Sequence, residues 1–332
     1  MSRKIVWWLR QLELFEYLGV IGSAVAVWLF LAYGSRLDEY VHQPGYHWDI
    51  VWMIAGIYAK FIPWAVLVSL VVAGILAWSI RSARGRVWQR YGIALRIFLA
   101  YCVLLIVFRI VNFYVPVIHP GLRDTAIQTI DRHLFGGKLV AEWLIPFIHP
   151  WLTHILTGAY VAWFWLLFAT IGLLASHPSR AASEYVLASL LAFYAGYAGY
   201  LLVPVIGPGY TVHFSVPIGD IAPGFTTQTA QIARDCFPSL HTALSVVMGI
   251  YVWRYRRRFT WFYLPVLTLI IAATLYLRFH YGLDDIAGAC LGVVAAGAAP
   301  ALQGNWDRWR QRGDAAVGIV TTVGAGTLPS EN

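Results

Sequence analysis

The sequence predicts an all-α, polytopic integral membrane protein with about eight transmembrane helices and short surface helices between some of them. Two observations lead to this prediction. The chain has 332 residues, of which 59% are hydrophobic and 12% are charged, whereas about 25% of the residues of a soluble domain are charged. The hydrophobic residues also form separate runs, most of them long enough to cross the hydrocarbon core of a bilayer.

These runs divide the chain into three parts. Residues 1–90 contain two spans and begin with a basic, aromatic stretch, residues 1–16, that suits the membrane interface. Residues 91–302 contain the remaining spans, and residues 303–332 form a polar tail that we expect to be partly disordered. The predicted spans, in chain order, are about Tyr17–Tyr33, Ile50–Ile80, Tyr91–Val115, Leu152–Leu174, Tyr185–Ile206, Thr242–Trp253, Trp261–Leu277 and Asp284–Pro300.

Three stretches need a separate interpretation. Gly34–Trp48 is polar and of mixed charge, which predicts a loop. Lys60 and Pro63 interrupt the second hydrophobic run, so we expect a short interfacial helix there, followed by the span. Residues 116–149 are too polar to span a membrane but place hydrophobic residues at helical spacing, which predicts short helices on the outer surface.

The basic residues predict the orientation of the spans. Most Lys and Arg residues of the loops fall on one side if the N-terminus is cytoplasmic, as expected from the positive-inside distribution. Both termini are then cytoplasmic, and the polar turns that contain His241 and His280 are extracytoplasmic. The net charge of +8 lies largely in the short turns, so we expect no nucleic-acid partner.

Two histidines lie where hydrophobic runs meet polar turns. His241 ends the stretch Phe237-Pro238-Ser239-Leu240-His241, and His280 begins the stretch His280-Tyr281-Gly282-Leu283-Asp284. Between them lie two hydrophobic runs joined by a basic turn, residues 254–258. Such a pattern predicts a helical hairpin that returns to the starting face of the membrane and brings the two histidines together.

The residues around both histidines indicate phosphoryl chemistry. Asp284 follows His280 by one helical turn, so its carboxylate could accept the proton of one ring nitrogen and leave the other free as a nucleophile or base. Pro238 suits the start of a helix, whose free amides, with the Ser239 hydroxyl, would bind an anion. Two histidines beside a phosphate suit an in-line displacement, in which one attacks phosphorus and the other protonates the leaving oxygen.

Simpler interpretations stay open at this point. A single histidine at a membrane edge is more often interfacial than catalytic. Asp285 is the second candidate carboxylate, since it lies about 100° around a helix from Asp284. A metal site formed by His241, His280 and Asp284 is a further alternative, whereas the three cysteines have no metal-ligand spacing and form no disulfide framework.

The two histidine motifs resemble those of the type 2 phosphatidic acid phosphatase superfamily. Two further stretches, Ile130–Gly137 (IDRHLFGG) and Val203–Gly209 (VPVIGPG), are similar to the branch that contains inositol phosphorylceramide synthase and its bacterial relatives. The resemblance covers about residues 95–300, so it implies a six-helix catalytic bundle within residues 91–302. It implies the following roles: His280 as the nucleophile that forms a phosphohistidine, Asp284 as its orienting partner, His241 as the acid and base, and Ser239 as a phosphate contact, with no metal or other cofactor.

The sequence departs from the superfamily in its basic residues. The usual first motif is Lys-x6-Arg-Pro, but Ile145 takes the place of its arginine after Lys138. Thr274 stands where the arginine of the third motif usually lies. A buried phosphate needs cations, and Arg109 is notable because it lies deep in a hydrophobic run. The candidate phosphate-binding cations are Arg109, Arg132, Arg234 and Arg278.

The resemblance therefore implies an enzyme that cleaves a phosphoester of a membrane lipid at the extracytoplasmic face. The first expectation is transfer of an inositol-phosphate-like head group to a lipid alcohol. The alternative is hydrolysis of a lipid phosphate or a polyprenyl (di)phosphate. A non-catalytic lipid-binding or transport protein on the same scaffold is the hypothesis from a different class. The expected partners are the lipid substrate, a lipid alcohol acceptor and the membrane.

Overall fold

The structure is a computed structural model that describes residues 10–80, 82, 84–176, 180–218 and 233–317. Within these ranges the chain forms helices and turns and has no strand. Most of the predicted interfacial stretch, residues 1–9, and the end of the predicted tail, residues 318–332, lie outside the described residues. In chain order the helices are α1 (Leu14–Val41), α2 (Tyr46–Ser79), α3 (Arg84–Ile118), α4 (Asp124–Leu134), α5 (Val140–Trp143), α6 (Pro150–Ala175), α7 (Ala181–Leu202), α8 (Pro208–Thr211), α9 (Leu240–Tyr255), α10 (Thr260–Tyr276) and α11 (Gly282–Val317).

The predicted all-α membrane class is confirmed. Seven of these helices are long and hydrophobic enough to cross a membrane, which fits an integral membrane protein. They are α1, α2, α3, α6, α7, α10 together with the 3-10 turn that precedes it (Arg257–Tyr276), and α11. The remaining predicted span is α9, a helix of 16 residues that lies among the others. Short helices α4 and α5 occupy the polar stretch before α6, as their periodicity predicts.

The turn between α1 and α2 is shorter than the sequence predicts. α1 continues to Val41 and α2 begins at Tyr46, so most of the predicted loop is helical. The polar residues of this stretch close the turn: Asp38 accepts hydrogen bonds from the backbone amides of Gly45 (2.8 Å) and His47 (2.9 Å). The carboxylate therefore satisfies amides at the start of α2 that have no partner within the helix.

Two other expectations are wrong in detail. α2 is one helix that passes through Pro63, so no separate interfacial helix precedes the span; neighbouring groups can compensate for the hydrogen bond that a proline removes from a membrane helix. α11 continues past the predicted end of the last span to Val317. Its polar end is held by side chains, since Asp307 pairs with Arg180 and Arg310 lies 3.1 Å from Glu13.

Helix α9 lies at the centre of the bundle and packs against α6, α7, α10 and α11. It approaches α11 closely because Gly288 and Gly292 have no side chains. A Cβ atom at Gly288 would lie 2.3 Å from the carbonyl oxygen of Ser239, and one at Gly292 would lie 2.4 Å from that of Ala243. Small residues at such contacts let membrane helices approach closely. This packing holds the first turns of α9 and α11 together.

The N-terminal helices α1 to α3 form one side of the molecule. α2 is the most peripheral, with 11% of its most hydrophobic window buried, and it packs mainly against α1 and α3. Its large side chains face outward, as Trp52 (72% exposed) and Trp64 (68% exposed) show. Such a surface suits contact with lipid. The predicted domain boundary at residue 90 falls inside α3 and stays a prediction.

Candidate active site

The helical hairpin brings the two histidines together, as the sequence predicts. His241 lies in the first turn of α9, and His280 lies in the turn between α10 and α11. Their ring centroids are 6.2 Å apart and the rings are inclined by 56°. Both rings line the same cavity, which has a volume of about 280 Å³. A phosphorus atom bound between them would therefore lie within reach of both side chains.

The walls of this histidine cavity are mostly aromatic. Nine of its 17 lining residues are Phe, Tyr or Trp, contributed mainly by α6 and α7. Asp235 and Cys236 add polar groups, but no Lys or Arg lines the cavity in the part of the chain that the structure describes. Residues 219–232, which precede residues 233–236 in the chain, also include no Lys or Arg. The cavity thus suits hydrophobic groups, and the described residues that line it include no Lys or Arg to bind a phosphate.

Two aromatic side chains of α6 hold the ring of His241. Tyr160 stacks on it with the centroids 4.2 Å apart, and the centroid of the Trp163 ring lies 4.4 Å away. These residues are three positions apart, so they share one face of α6. Their role is not evident from the sequence, because aromatic residues make up 16% of the chain and nothing in the spacing of these two distinguishes them. Their contacts fix the position of the imidazole in the cavity.

Asp284 faces His280, but the two are not in direct hydrogen-bond contact. Nδ1 of His280 lies 3.6 Å from Oδ2 of Asp284, beyond the usual hydrogen-bond range. The same oxygen accepts hydrogen bonds from the Tyr281 amide (2.8 Å) and from the thiol of Cys236 (2.9 Å). The sulfur of Cys236 in turn lies 3.4 Å from Nδ1 of His280. Cys236 is therefore a third member of this group.

Nearby carboxylates raise the pKa of both His280 and Cys236. Burial alone would lower the pKa of His280, but the facing carboxylate of Asp284 and the charges of Asp285 and Asp235 raise the pKa above its usual value. Burial raises the pKa of the Cys236 thiol well above its usual value, and the Asp284 carboxylate raises it further. The stable state of this group is therefore a protonated thiol that donates to Asp284.

Asp285, the second candidate carboxylate, has a different role. It accepts hydrogen bonds from the Thr242 hydroxyl on α9 (2.6 Å) and from the Thr274 hydroxyl on α10 (2.7 Å). Thr274 occupies the position of the missing third-motif arginine, and its carbonyl oxygen accepts the His280 amide (3.1 Å). Asp285 thus ties three helices together beneath the histidines, while Asp284 is the carboxylate that faces the ring.

Ser239 caps the N-terminus of α9 and does not line the histidine cavity in the described structure. Its hydroxyl oxygen accepts the amide of Thr242 (3.4 Å), and its own amide donates to the Asp284 carbonyl oxygen (3.0 Å). The helix therefore begins at Leu240, not at Pro238 as expected. Ser239 is fully buried and does not line the histidine cavity in the described structure. Its side chain positions the start of the helix that bears His241.

Two of the four candidate arginines lie next to the histidine cavity. Arg109 and Arg234 line a second cavity of about 490 Å³, which shares four lining residues, among them Phe108 and Asp235, with the first. Arg109 is exposed, and Arg234 donates to the carbonyl oxygen of His119 (2.6 Å). Both arginines therefore line a space that adjoins the histidine cavity.

The other two candidate arginines are engaged elsewhere. Arg132 forms two hydrogen bonds with the carboxylate of Glu142 (2.7 and 3.0 Å). Arg278 stacks on Phe214 (3.9 Å) and donates to the carbonyl oxygen of Val216 (2.6 Å). Neither arginine lines either cavity among the described residues. Lys138 lies over the ring of Trp143 (4.8 Å) and lines neither cavity.

Two buried aspartates of α4 accept hydrogen bonds from segments next to His280 and Asp284. Asp131, within the IDRHLFGG stretch, accepts the Leu283 amide (2.7 Å) at the start of α11. Asp124 accepts the Gly207 amide (3.0 Å) and the Tyr281 hydroxyl (3.0 Å). Neither role is evident from the sequence, because both contacts join segments that are far apart in the chain. They connect α4 to Tyr281 and Leu283, which lie between His280 and Asp284, and to the turn at Gly207.

The Gly207-Pro208-Gly209 turn lies directly on the His280 segment. Gly207 has a φ angle of +96°, and a Cβ atom there would lie 2.4 Å from the carbonyl oxygen of Phe279. The Gly209 amide donates to the carbonyl oxygen of Arg278 (2.9 Å). Only glycine suits both the backbone conformation and the close approach at Gly207. The turn therefore supports the backbone that carries His280.

Comparison with known proteins gives one match. A family model described as the PAP2 superfamily matches residues 125–298, which is more than half of the chain. The matched segment contains His241, His280 and Asp284, and it begins just inside α4. No curated protein and no solved structure matches the chain.

Proposed function

The chain belongs to the PAP2 superfamily of phosphatases and phosphotransferases, and we propose that it cleaves a phosphoester of a membrane lipid through a phosphohistidine on His280. The observation that supports this most directly is the pair of imidazoles, 6.2 Å apart, in one cavity. The buried carboxylate of Asp284 on the Nδ1 side of His280 supports the choice of nucleophile. Sequence and geometry thus point to the same pair of side chains.

The proposed reaction has two displacements at phosphorus. In the first, the free ring nitrogen of His280 attacks, and a P–N bond forms while the P–O bond to the leaving alcohol breaks. His241 gives its proton to the leaving oxygen. In the second, His241 takes the proton of an incoming hydroxyl group, whose oxygen forms a new P–O bond as the P–N bond breaks. Asp284 stabilises the positive charge that develops on the His280 ring.

The cavities favour a substrate with a hydrophobic part and an anionic part. The aromatic walls of the histidine cavity suit a lipid chain or an uncharged group. Arg109 and Arg234 of the adjoining cavity would supply the cations for the phosphate, in place of the two missing family motifs. The substrate would thus lie across the boundary between the two cavities, with its phosphorus next to the histidines.

We further propose transfer of a head group to a lipid alcohol in preference to hydrolysis. The similarity of the IDRHLFGG and VPVIGPG stretches to the inositol phosphorylceramide synthase branch supports this choice. The aromatic cavity supports it as well, because hydrophobic walls disfavour water as the acceptor. From the distribution of basic residues, the site would face the extracytoplasmic side and both termini the cytoplasm.

The test uses purified protein in lipid vesicles and a panel of lipid phosphates that includes phosphatidylinositol, with and without diacylglycerol or ceramide. Free phosphate and new phospholipids are measured, and the His280→Ala protein serves as the blank. A new phospholipid with little free phosphate supports transfer, whereas free phosphate that requires His280 supports hydrolysis. Equal activity in both proteins would exclude His280 as the nucleophile. Lipid binding without turnover and without a phosphoenzyme would indicate the non-catalytic alternative.

A further inference from the structure

Three possible metal-ligating atoms meet behind the histidine cavity. They are Sγ of Cys236, Nδ1 of His280 and Oδ2 of Asp284. The sulfur lies 2.9 Å from the carboxylate oxygen and 3.4 Å from the nitrogen, and the nitrogen lies 3.6 Å from the oxygen. All three residues are buried, with at most 6% of their surface exposed. The chain supplies these ligands from two separate segments, so their spacing in the sequence gives no sign of them.

This triangle has nearly the size that a tetrahedral zinc ion requires. Zinc bonds of about 2.3 Å to sulfur and about 2.0 Å to nitrogen or oxygen place neighbouring ligand atoms about 3.3–3.6 Å apart. The S–N and N–O edges already have this length. The S–O edge is shorter because a thiol proton bridges it. We propose that Cys236, His280 and Asp284 form a binding site for Zn²⁺ or a similar thiophilic divalent ion.

The charges of the three ligands match such an ion. On binding, the Cys236 thiol releases its proton to solvent and a sulfur–metal bond replaces the hydrogen bond to Asp284. One thiolate and one carboxylate then neutralise the dication, while His280 binds as a neutral ring. A neutral buried cluster avoids the large cost of an isolated buried charge. In addition, Oδ1 of Asp284 is buried with no hydrogen-bond partner among the described residues, so this carboxylate has unused ligand capacity.

The position of the triangle gives the ion a route in and an open coordination site. Cys236 and His280 line the histidine cavity, so an ion can reach them from that side. Three protein ligands leave the fourth position for water or a phosphate oxygen. The thiolate excludes Mg²⁺ and Ca²⁺, which require oxygen ligands. His241, the third ligand in the sequence-based metal alternative, is not a member of this group among the described residues.

Occupancy of this site would inhibit the enzyme. The metal would hold Nδ1 of His280 and withdraw electron density from the nitrogen that attacks phosphorus. It would also occupy the Asp284 oxygen that faces the ring. This consequence rests on the proposed phosphohistidine mechanism, whereas the binding of the metal does not. The two can therefore succeed or fail separately.

Binding is tested with Co²⁺ as a spectroscopic probe on chelator-treated protein in detergent. We expect one Co²⁺ per chain, a thiolate-to-metal charge-transfer band in the near ultraviolet, and loss of the band on addition of one equivalent of Zn²⁺. The Cys236→Ala variant should lose the band. The Cys102→Ser and Cys290→Ser variants should keep it, since these cysteines lie outside the group. A wild-type protein without the band, or a Cys236→Ala protein with it, would overturn the site.

Stability and activity complete the test. Zn²⁺ should raise the thermal unfolding temperature of the wild-type protein and of Cys102→Ser, but not that of a folded Cys236→Ala protein. In the transfer assay, Zn²⁺ should inhibit the wild type, and the half-inhibitory concentration should rise at least tenfold in Cys236→Ala. Equal inhibition of both proteins would contradict the inference. If the protein binds Co²⁺ but has no phosphoester activity, the metal site is supported and the proposed function is refuted.

Discussion

Asp284 and Asp285 are adjacent in the chain, but their carboxylates contact different parts of the molecule. Asp284 faces the ring of His280, while Asp285 accepts the hydroxyls of Thr242 and Thr274. Successive residues of a helix point about 100° apart, so the start of α11 presents one carboxylate to the cavity and one to its neighbours. We therefore expect Asp284 to act in catalysis and Asp285 in stability.

Substitution of Asp284 should affect mainly turnover, whereas substitution of Asp285 should affect mainly stability. Asp284→Asn should reduce kcat by about 100-fold or more, because the ring of His280 loses its charged partner, and should leave the unfolding temperature nearly unchanged. Asp285→Ala should lower the free energy of unfolding by about 1–3 kcal/mol, since two buried hydroxyls lose their acceptor. Turnover of lipid phosphate and thermal unfolding in detergent measure the two effects. The reverse pattern would assign the catalytic carboxylate to Asp285.

Loss of His241 should depend on the leaving group. In His241→Gln, we expect turnover of a lipid phosphate, whose alkoxide is a poor leaving group, to fall by about 100-fold to 10,000-fold. An aryl phosphate such as p-nitrophenyl phosphate needs little protonation, so formation of its phosphoenzyme should fall much less. Rapid-quench measurement of the phosphoenzyme tests this difference. Equal losses with both substrates would mean that His241 does not act as the acid.

The arginines form a matched pair for a test of phosphate binding. Arg109→Gln should raise KM for an anionic lipid substrate about tenfold, equivalent to about 1.4 kcal/mol, because it removes a cation from the cavity that adjoins the histidines. Arg132→Gln is the control, since its guanidinium group is paired with Glu142 outside both cavities. Its KM should stay within about twofold of the wild type. A larger increase in KM for Arg132→Gln than for Arg109→Gln would indicate that the phosphate binds near Arg132 instead.

The pH dependence should report the environment of His280. Burial opposes protonation of this ring, but the facing carboxylate of Asp284 and the charges of Asp285 and Asp235 raise its pKa above the usual 6.5. The nucleophile is the uncharged ring, so the acidic limb of the kcat/KM profile should rise with pH through an inflection above this value. The other titratable groups close to the ring are Cys236, whose thiol stays protonated, and His241.

Asp284→Asn removes one of the negative charges near His280. The inflection of kcat/KM should therefore move to lower pH in the activity that remains. Chelator-treated protein is used for both profiles, so that no metal ion competes with the proton. An inflection at the same pH in both proteins would show that Asp284 does not set the protonation of His280.

Much of the fold could be predicted because hydrophobic runs are properties of contiguous segments. The all-α membrane class and the hairpin between His241 and His280 both follow from run length and polarity. The boundaries were less accurate at polar residues that a helix can absorb. Asp38 closes a tight turn instead of marking a loop, and residues 303–317 extend α11 instead of leaving it.

The chemistry of the site could be predicted only where it is local. The sequence by itself determined the two histidines and a carboxylate one helical turn after the second, because all lie within short motifs. Tertiary structure decided which carboxylate faces the ring, which arginines adjoin the cavity, and that Ser239 caps α9. It also brought Cys236 between His280 and Asp284. These outcomes depend on how closely α9 and α11 pack and on which helix faces meet, and contacts between distant segments leave no spacing in the sequence.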